Sequence, residues 1–247
     1  MQRLYASTVN EAEKLLRQRR AKFAAIVTIA VPIIAALALD GLRVSVGIDL
    51  GRDFPLWMLN LFAATLLPLF LFTAVAETFT GEHAARTVKT LLLRPVARWK
   101  LFAAKMGAIA LYMALLVGIL WMVSTLTGLL LNADATLRGL ADNLQAYSAA
   151  FVALLSMSAI AAAIAQLFRS TTPVLACCVV LFVAAKVLPF VWPQAAVWSV
   201  FSYTDWHTLW IGSAVSAGKL AQVFVFLLSG GIIGYTTGSY LFEKQAL

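Results

Sequence analysis

Six long apolar runs decide the fold class of this chain. Each is about as long as the 20 residues that a helix needs to cross the hydrocarbon core of a bilayer. Of the 247 residues, 62% are hydrophobic and 12% are charged, whereas soluble domains carry about 25% charged residues. A soluble core of this size cannot hide so much apolar surface. The sequence therefore predicts an all-α membrane protein with six transmembrane helices.

The predicted spans follow the apolar runs in order. They cover 23–40, 56–77, 103–131, 144–168, 173–191 and 220–242. Pro32 and Pro68 lie inside the first two spans and are expected to kink them. The segments between the spans are too short for a second domain, so residues 1–247 are predicted to form a single membrane domain.

Residues 1–22 are polar and precede the first span. Apolar side chains recur there at helical spacing, with basic residues on the other faces: Tyr5, Val9, Ala12, Leu16 and Phe23. Thr8 and Glu11 fit a capping box, the T-x-x-E pattern of a helix start. This pattern favours an amphipathic interfacial helix on the membrane surface. A disordered cationic tail is the alternative.

The basic residues are divided unequally between the two sides of the predicted membrane. Fourteen Lys/Arg fall on the side of the termini and four on the other side. Cytoplasmic loops carry the excess of Lys and Arg, so both termini are predicted to be cytoplasmic. The same rule, with anionic lipid headgroups, accounts for the net charge of +8 without nucleic acid.

The predicted outer segment 192–219 is rich in tryptophan. It holds four Trp but only two formally charged residues, Asp205 and Lys219. Its apolar stretches are too short to cross a bilayer. The expected structure is a re-entrant segment of short, half-inserted helices, with Trp198, Trp206 and Trp210 at headgroup depth.

Catalytic chemistry is missing from the sequence. The run "GSAVSAGKL" at 212–220 has the wrong glycine spacing for a phosphate-binding loop, and leucine stands where Ser or Thr must reach Mg²⁺. His83 is predicted to be a solvated loop residue and His207 an interfacial one, on opposite sides, so they form no metal site. A non-catalytic membrane protein without a cofactor of its own is expected.

Two charged residues and three glycines within or beside the spans have open interpretations. Lys186 lies deep in span 5 and either pairs with Asp205, extends to the surface, or lines a substrate pathway. Glu77 lies at a span end, where it can reach water. Gly230, Gly234 and Gly238 leave one face of span 6 bare, which favours close helix packing, within the domain or between two copies. A hinge is the alternative for these glycines.

The basic stretch "GEHAARTVKTLLLRPVARWKLFAAK" at 81–105 connects spans 2 and 3. It carries six Lys/Arg. Strong helix formers precede Pro95, which disfavours helix at Arg94 and marks a break. The pattern predicts a short surface helix, a turn and re-entry into span 3. The segment is either a docking element for another protein or a basic loop that only obeys the positive-inside rule.

This stretch resembles the segment between the second and third spans of ABC type-2 transporter permeases. That family shows G-E, G-T, K-x-L-L, R-P-V-S-R-W-K and then a lysine. The matching residues are Gly81, Glu82, Thr87, Lys89, Leu91, Leu92, Arg94, Pro95, Val96, Arg98, Trp99, Lys100 and Lys105. Two departures are Arg86 in place of the glycine before Thr87, and Ala97 in place of serine.

The resemblance implies that 81–105 is a cytoplasmic coupling helix seated on a separate ATPase subunit. Its implied contact residues are Glu82, Thr87, Lys89, Leu91, Leu92, Arg94, Pro95 and Arg98. Two permease copies and two ATPases, which would hold ATP and Mg²⁺, would form an exporter in the bacterial inner membrane. Glu77 and Glu82 would pair with basic residues of the N-terminal helix or of the partner. The alternatives are a non-transporting sensor or assembly factor that binds an ATPase, and a stand-alone secondary transporter.

Overall fold

The structure, a computed structural model, describes residues 2–46, 54–84, 98–192, 199–211 and 216–244. Helices and short connections account for these residues, and no β-strand occurs among them. Six helices in this part of the chain are long and apolar enough to cross a membrane. The prediction of an all-α protein with six spans is therefore confirmed.

The spans keep the predicted order, with bounds shifted by several residues. The N-terminal helix is Gln2–Arg17, span 1 is Arg19–Val46, span 2 is Phe54–Leu61, Phe62–Leu66 and Leu67–Ala84, span 3 is Arg98–Leu131, a short helix is Ala133–Arg138, span 4 is Leu140–Ala165, span 5 is Thr171–Val191, a 3₁₀ segment is Val200–Trp210, and span 6 is Ala217–Lys244. Most spans begin before their apolar runs, because helical hydrogen bonding continues into flanking polar residues that composition alone assigns to loops.

Spans 2 and 4 form the centre of the bundle, and spans 1, 5 and 6 lie at its periphery. The largest core side chains, including Phe62, Leu71 and Met113, are fully buried. The peripheral spans leave large apolar side chains exposed, such as Ile34 and Val180. Such exposure would be costly in water but suits contact with lipid or another apolar helix.

A π-helical turn interrupts span 2 at Phe62–Leu66, directly before Pro68. The amide of Leu67 bonds to the carbonyl of Phe62, five residues back. Pro68 has no N–H and its ring crowds the carbonyl four residues earlier, which accounts for the wider turn. The distortion lies where the sequence predicted a kink. Pro32, by contrast, lies within a continuous helix.

The N-terminal helix forms, but the predicted capping box is wrong. Thr8 and Glu11 lie in the middle of Gln2–Arg17 rather than at its start. Their side chains are used in tertiary contacts with span 3, which sequence spacing alone does not reveal. Tyr5 and Val9, from the predicted apolar stripe, are 74% and 43% exposed. The position of this helix on a membrane surface stays a prediction.

The Val200–Trp210 segment is the described part of the predicted outer segment. It consists of two short 3₁₀ helices that meet at a kink at Tyr203. Trp206, predicted at headgroup depth, is buried within the protein, and its indole Nε1–H donates to the carbonyl of Ala149 at 2.7 Å. Its depth in a membrane stays a prediction. Trp198 lies outside the described residues, and half-insertion of the segment stays a prediction.

Candidate functional site

Most of the predicted coupling residues lie outside the described part of the chain. These are Thr87, Lys89, Leu91, Leu92, Arg94 and Pro95. Glu82 belongs to the last turns of span 2, and Arg98 is the first residue of span 3. The structure thus describes the two helices to which the 81–105 segment is attached.

A buried cation, Lys105, lies beside both of these attachment points. Its side chain is 1% exposed. Its Nζ donates to the carbonyl of Thr78 at 2.8 Å and lies 3.5 Å from Oε2 of Glu11, which is 8% exposed. Charged groups interact strongly in such a low-dielectric setting. Lys105 therefore ties the N-terminal helix, span 2 and span 3 to one another.

A close helix crossing places Glu11 within reach of Lys105. A Cβ atom added at Gly107 would lie 2.9 Å from Cγ2 of Thr8, so a larger residue there would require the Thr8 side chain to move. Leu15, one turn beyond Glu11, is also buried. The face of the N-terminal helix that carries Thr8, Glu11 and Leu15 therefore packs on protein. In the sequence Lys105 was only a motif match, and no local pattern indicated that it is buried.

A second ion pair joins span 1 to span 2. Arg20 Nη1 lies 2.7 Å from Oε1 of Glu77. The Arg20 side chain is largely exposed, whereas that of Glu77 is largely buried. Glu77 is thus paired with a basic residue of the 1–22 segment, one of the partners that the sequence offered for it.

Span 6 is attached to the same end of the bundle. Arg98 Nη1 donates to the carbonyl of Glu243 at 3.1 Å. The ring of Phe102 lies 5.3 Å from that of Phe79 and 5.8 Å from that of Phe242, measured between centroids. Phe79, before the 81–105 segment, and Arg98 and Phe102, within it, therefore contact the last turns of span 6. We call this end, where the N-terminal helix also lies, the terminal end.

The three glycines of span 6 face other parts of the same chain. A Cβ added at Gly234 would lie 2.8 Å from the backbone nitrogen of Ile160, and one at Gly238 would lie 3.3 Å from Cα of Ala163. At Gly230 the nearest atom would be Cγ2 of Val200, at 2.6 Å. The bare face thus packs backbone to backbone on span 4 and ends against the Val200–Trp210 segment.

Lys186 holds the Val200–Trp210 segment at the opposite end of the bundle. Its Nζ pairs with Oδ2 of Asp205. Close by, Ser202 Oγ donates to the carbonyl of Ala185 at 3.1 Å. The sequence left open whether Lys186 pairs with Asp205, extends to the surface or lines a pathway. The structure contains the pair with Asp205. A pathway role for this lysine stays a prediction.

His207 is fully buried within the protein, whereas its predicted position at the membrane interface stays a prediction. Nδ1 lies 3.1 Å from the carbonyl of Thr204, and Nε2 lies 2.8 Å from Oδ1 of Asn60. A neutral ring has one donor, so if Nδ1–H donates to Thr204, the Asn60 amide must rotate to donate to Nε2. Asn60 lies two residues before the π turn of span 2. The contact is long-range, and spacing in the sequence gives no sign of it.

Acidification is expected to destabilise the protein through His207. Burial lowers the pKa of His207, against smaller opposing effects of the Thr204 carbonyl and Asp205. Since the unfolded chain then binds more protons, stability is full above about pH 6.5 and falls as the pH decreases. The free energy of unfolding in detergent, measured across this range, should depend less on pH in His207→Gln. An equal pH dependence in both proteins would contradict this assignment.

One family model matches the chain, that of the ABC-2 family transporter protein, over residues 9–186. No curated protein matches it. The matched region runs from the N-terminal helix into span 5, so it includes Glu11, Glu77 and Lys105. It covers well over half of the 247 residues. The chain, with six spans and a charged node at the end of residues 81–105, therefore belongs to the ABC-2 family of transporter proteins.

Proposed function

We propose that this chain is the permease subunit of an ATP-driven exporter in the bacterial inner membrane. Two copies would form the substrate pathway, and two separate ATPase subunits would bind ATP and Mg²⁺ and contact the 81–105 segments. Membership of the ABC-2 family supports a membrane component of an ABC transporter. The chain itself has no phosphate-binding loop of the required spacing, so hydrolysis falls to the partner.

The Lys105 node is the observation that carries the proposal. A segment that receives force from a partner must be attached to elements that move with it. Lys105 is the last residue of the segment and already belongs to span 3, and it contacts Thr78 on span 2 and Glu11 on the N-terminal helix. Breaking a buried charged pair is costly, so the three elements are expected to move as one body.

Two further contacts extend this attachment across the terminal end. The Arg20–Glu77 pair links span 1 to span 2, and the Arg98–Glu243 bond links span 3 to span 6. A displacement of residues 81–105 would therefore reach four of the six spans through specific bonds. A basic loop that only obeys the positive-inside rule would not need these connections.

A negative charge introduced into the 81–105 segment is expected to abolish ATPase binding. Leu92→Asp and Arg94→Glu place a negative charge where the proposed interface requires an apolar and a basic side chain. Co-purification of a tagged permease with the ATPase subunit measures the loss. Leu137→Asp and Arg138→Glu, exposed at the opposite end of the bundle, are matched controls that should leave the association intact.

The outcome also separates the alternatives. Normal co-purification of both segment variants would overturn the coupling assignment, and the lack of any ATPase partner would favour a stand-alone transporter. ATP-dependent movement of cargo into inside-out vesicles distinguishes an exporter from a sensor or assembly factor. A complex that hydrolyses ATP but moves no cargo in either direction would contradict transport.

A further inference from the structure

Span 2 is buried on most sides but open along one stripe. From Trp57 onward every fourth residue is exposed or partly exposed, while most of the residues between them are buried. A spacing of four keeps side chains on one face of a helix. We call this face the open stripe, and its members are Trp57, Leu61, Thr65, Leu69, Thr73 and Glu77. The central span of the bundle thus has one continuous surface that the rest of the described chain leaves uncovered.

Most polar side chains on the open stripe are already bonded. Thr65 Oγ1 donates to the carbonyl of Leu61 at 2.7 Å, and Thr73 Oγ1 donates to that of Phe70 at 2.8 Å. Glu77 forms the ion pair with span 1 described above. From Leu61 to Glu77 the stripe therefore offers a ligand a mainly apolar surface.

Asn60 lies beside Leu61 at the edge of the open stripe and differs from these residues. It is exposed, yet one atom of its side-chain amide lies 2.8 Å from Nε2 of the fully buried His207. The other atom of the amide has no partner among the described residues. An amide that is fixed at one atom and open at the other can bind a ligand through the open atom.

His207 determines which amide atom is open. The carbonyl of Thr204, 3.1 Å from Nδ1, can only accept, so Nδ1 of the neutral ring carries the proton. Nε2 then accepts an N–H of the Asn60 amide, which turns the amide oxygen, Oδ1, to the open side. His207 thus holds Asn60 as a hydrogen-bond acceptor toward the open stripe.

We propose that Asn60 is a specificity-determining residue of the transport pathway, positioned by His207, which selects cargo with a hydrogen-bond donor such as a hydroxyl on an apolar body. The open Oδ1 complements the donor, and the stripe from Leu61 toward Glu77 complements the apolar body. Ligand sites commonly combine a mainly apolar wall with a few placed polar groups that fix orientation. The inference rests on the proposed export function, whose cargo Asn60 would contact.

Dodecanol and dodecyl methyl ether test this selection, because only the alcohol has a donor. Saturable binding of each radiolabelled probe to the tagged full chain in detergent micelles is measured by scintillation proximity, without an ATPase. We expect the wild type to bind the alcohol about fivefold more tightly, the usual effect of one hydrogen bond. Thr65→Val is the matched control on the same stripe. Its hydroxyl bonds its own helix, so this variant should keep the ratio.

Two variants should remove the preference in opposite ways. In His207→Phe the Asn60 amide is free to rotate and can donate to the ether oxygen, so the affinity for the ether should rise toward that for the alcohol. In Asn60→Leu combined with His207→Phe no amide remains, so the affinity for the alcohol should fall about fivefold, to that for the ether. Replacing both partners of a buried hydrogen bond with apolar groups can be nearly neutral, and comparable unfolding temperatures would confirm that the double variant folds.

A wild type that binds neither probe saturably, or binds both equally, would overturn the acceptor assignment. An unchanged preference in His207→Phe would overturn the positioning role of His207. If saturable binding is absent and the double variant converts a dimer of the chain to monomers, the open stripe is a contact between two copies, which also overturns the proposal. Because no ATPase takes part, a failure of export in vesicles leaves these binding outcomes unaffected.

Discussion

Gly234→Leu is expected to prevent span 6 from packing against span 4. A Cβ at position 234 would lie 2.8 Å from the backbone nitrogen of Ile160 and 2.9 Å from the carbonyl carbon of Ala159. Both neighbours are backbone, so no side chain can rotate away and the two helices must separate. Overpacking costs about 1–3 kcal/mol when side chains can adjust, so we expect a loss of at least about 3 kcal/mol here.

Gly118→Leu in span 3 is the control, because a Cβ at Gly118 has nothing within 4 Å. The free energy of unfolding from a denaturant titration in mixed micelles measures both variants. A leucine at 118 should change it little. If Gly234→Leu were as stable as the wild type, the packing of span 6 on span 4 would have to differ from the described one.

The second large effect is expected from Lys105→Met. The substitution leaves the largely buried Glu11 without Lys105 and removes the donor to the Thr78 carbonyl. Removing one partner of a buried ion pair costs about 3–5 kcal/mol, because the remaining charge stays desolvated. The same denaturant titration would show the loss, together with easier proteolysis of the N-terminal helix as it detaches from span 3.

A compensating substitution makes this prediction specific. Glu11→Leu combined with Lys105→Met replaces the pair with apolar side chains, and should recover most of the lost stability. Arg17→Met is the control, since the Arg17–Glu13 pair is exposed and such pairs contribute about 0–1 kcal/mol. If the double variant were no more stable than Lys105→Met alone, the pair would not be the source of the effect.

The six spans could be predicted because membrane insertion depends on local composition. A run of apolar residues that must satisfy its backbone hydrogen bonds in lipid forms a helix whatever its neighbours are. The glycine spacing in span 6 predicted a close helix contact for the same local reason. It could not name the partner, since the fit of Gly234 against Ile160 depends on how the spans are arranged.

The candidate site was harder to predict because its bonds are long-range. Lys105 and Glu11 are 94 residues apart, and His207 and Asn60 are 147 residues apart. A lysine at the start of a span normally extends to the interface, and a histidine in a tryptophan-rich loop normally lies there. Both are buried instead, because the fold supplies them with partners. Thr8 and Glu11 matched a local capping pattern, but the tertiary contact with span 3 determined their role.

Span 6 is held at two distant heights. In its last turn the carbonyl of Glu243 accepts a hydrogen bond from Arg98. At Gly230 the helix packs against the side chain of Val200. The stretch between these points is uninterrupted helix about 20 Å long. An α-helix is stiff along its axis. We therefore expect a displacement of Arg98 along this axis to be transmitted to the Val200–Trp210 segment. A single continuous helix thus connects the two ends of the bundle.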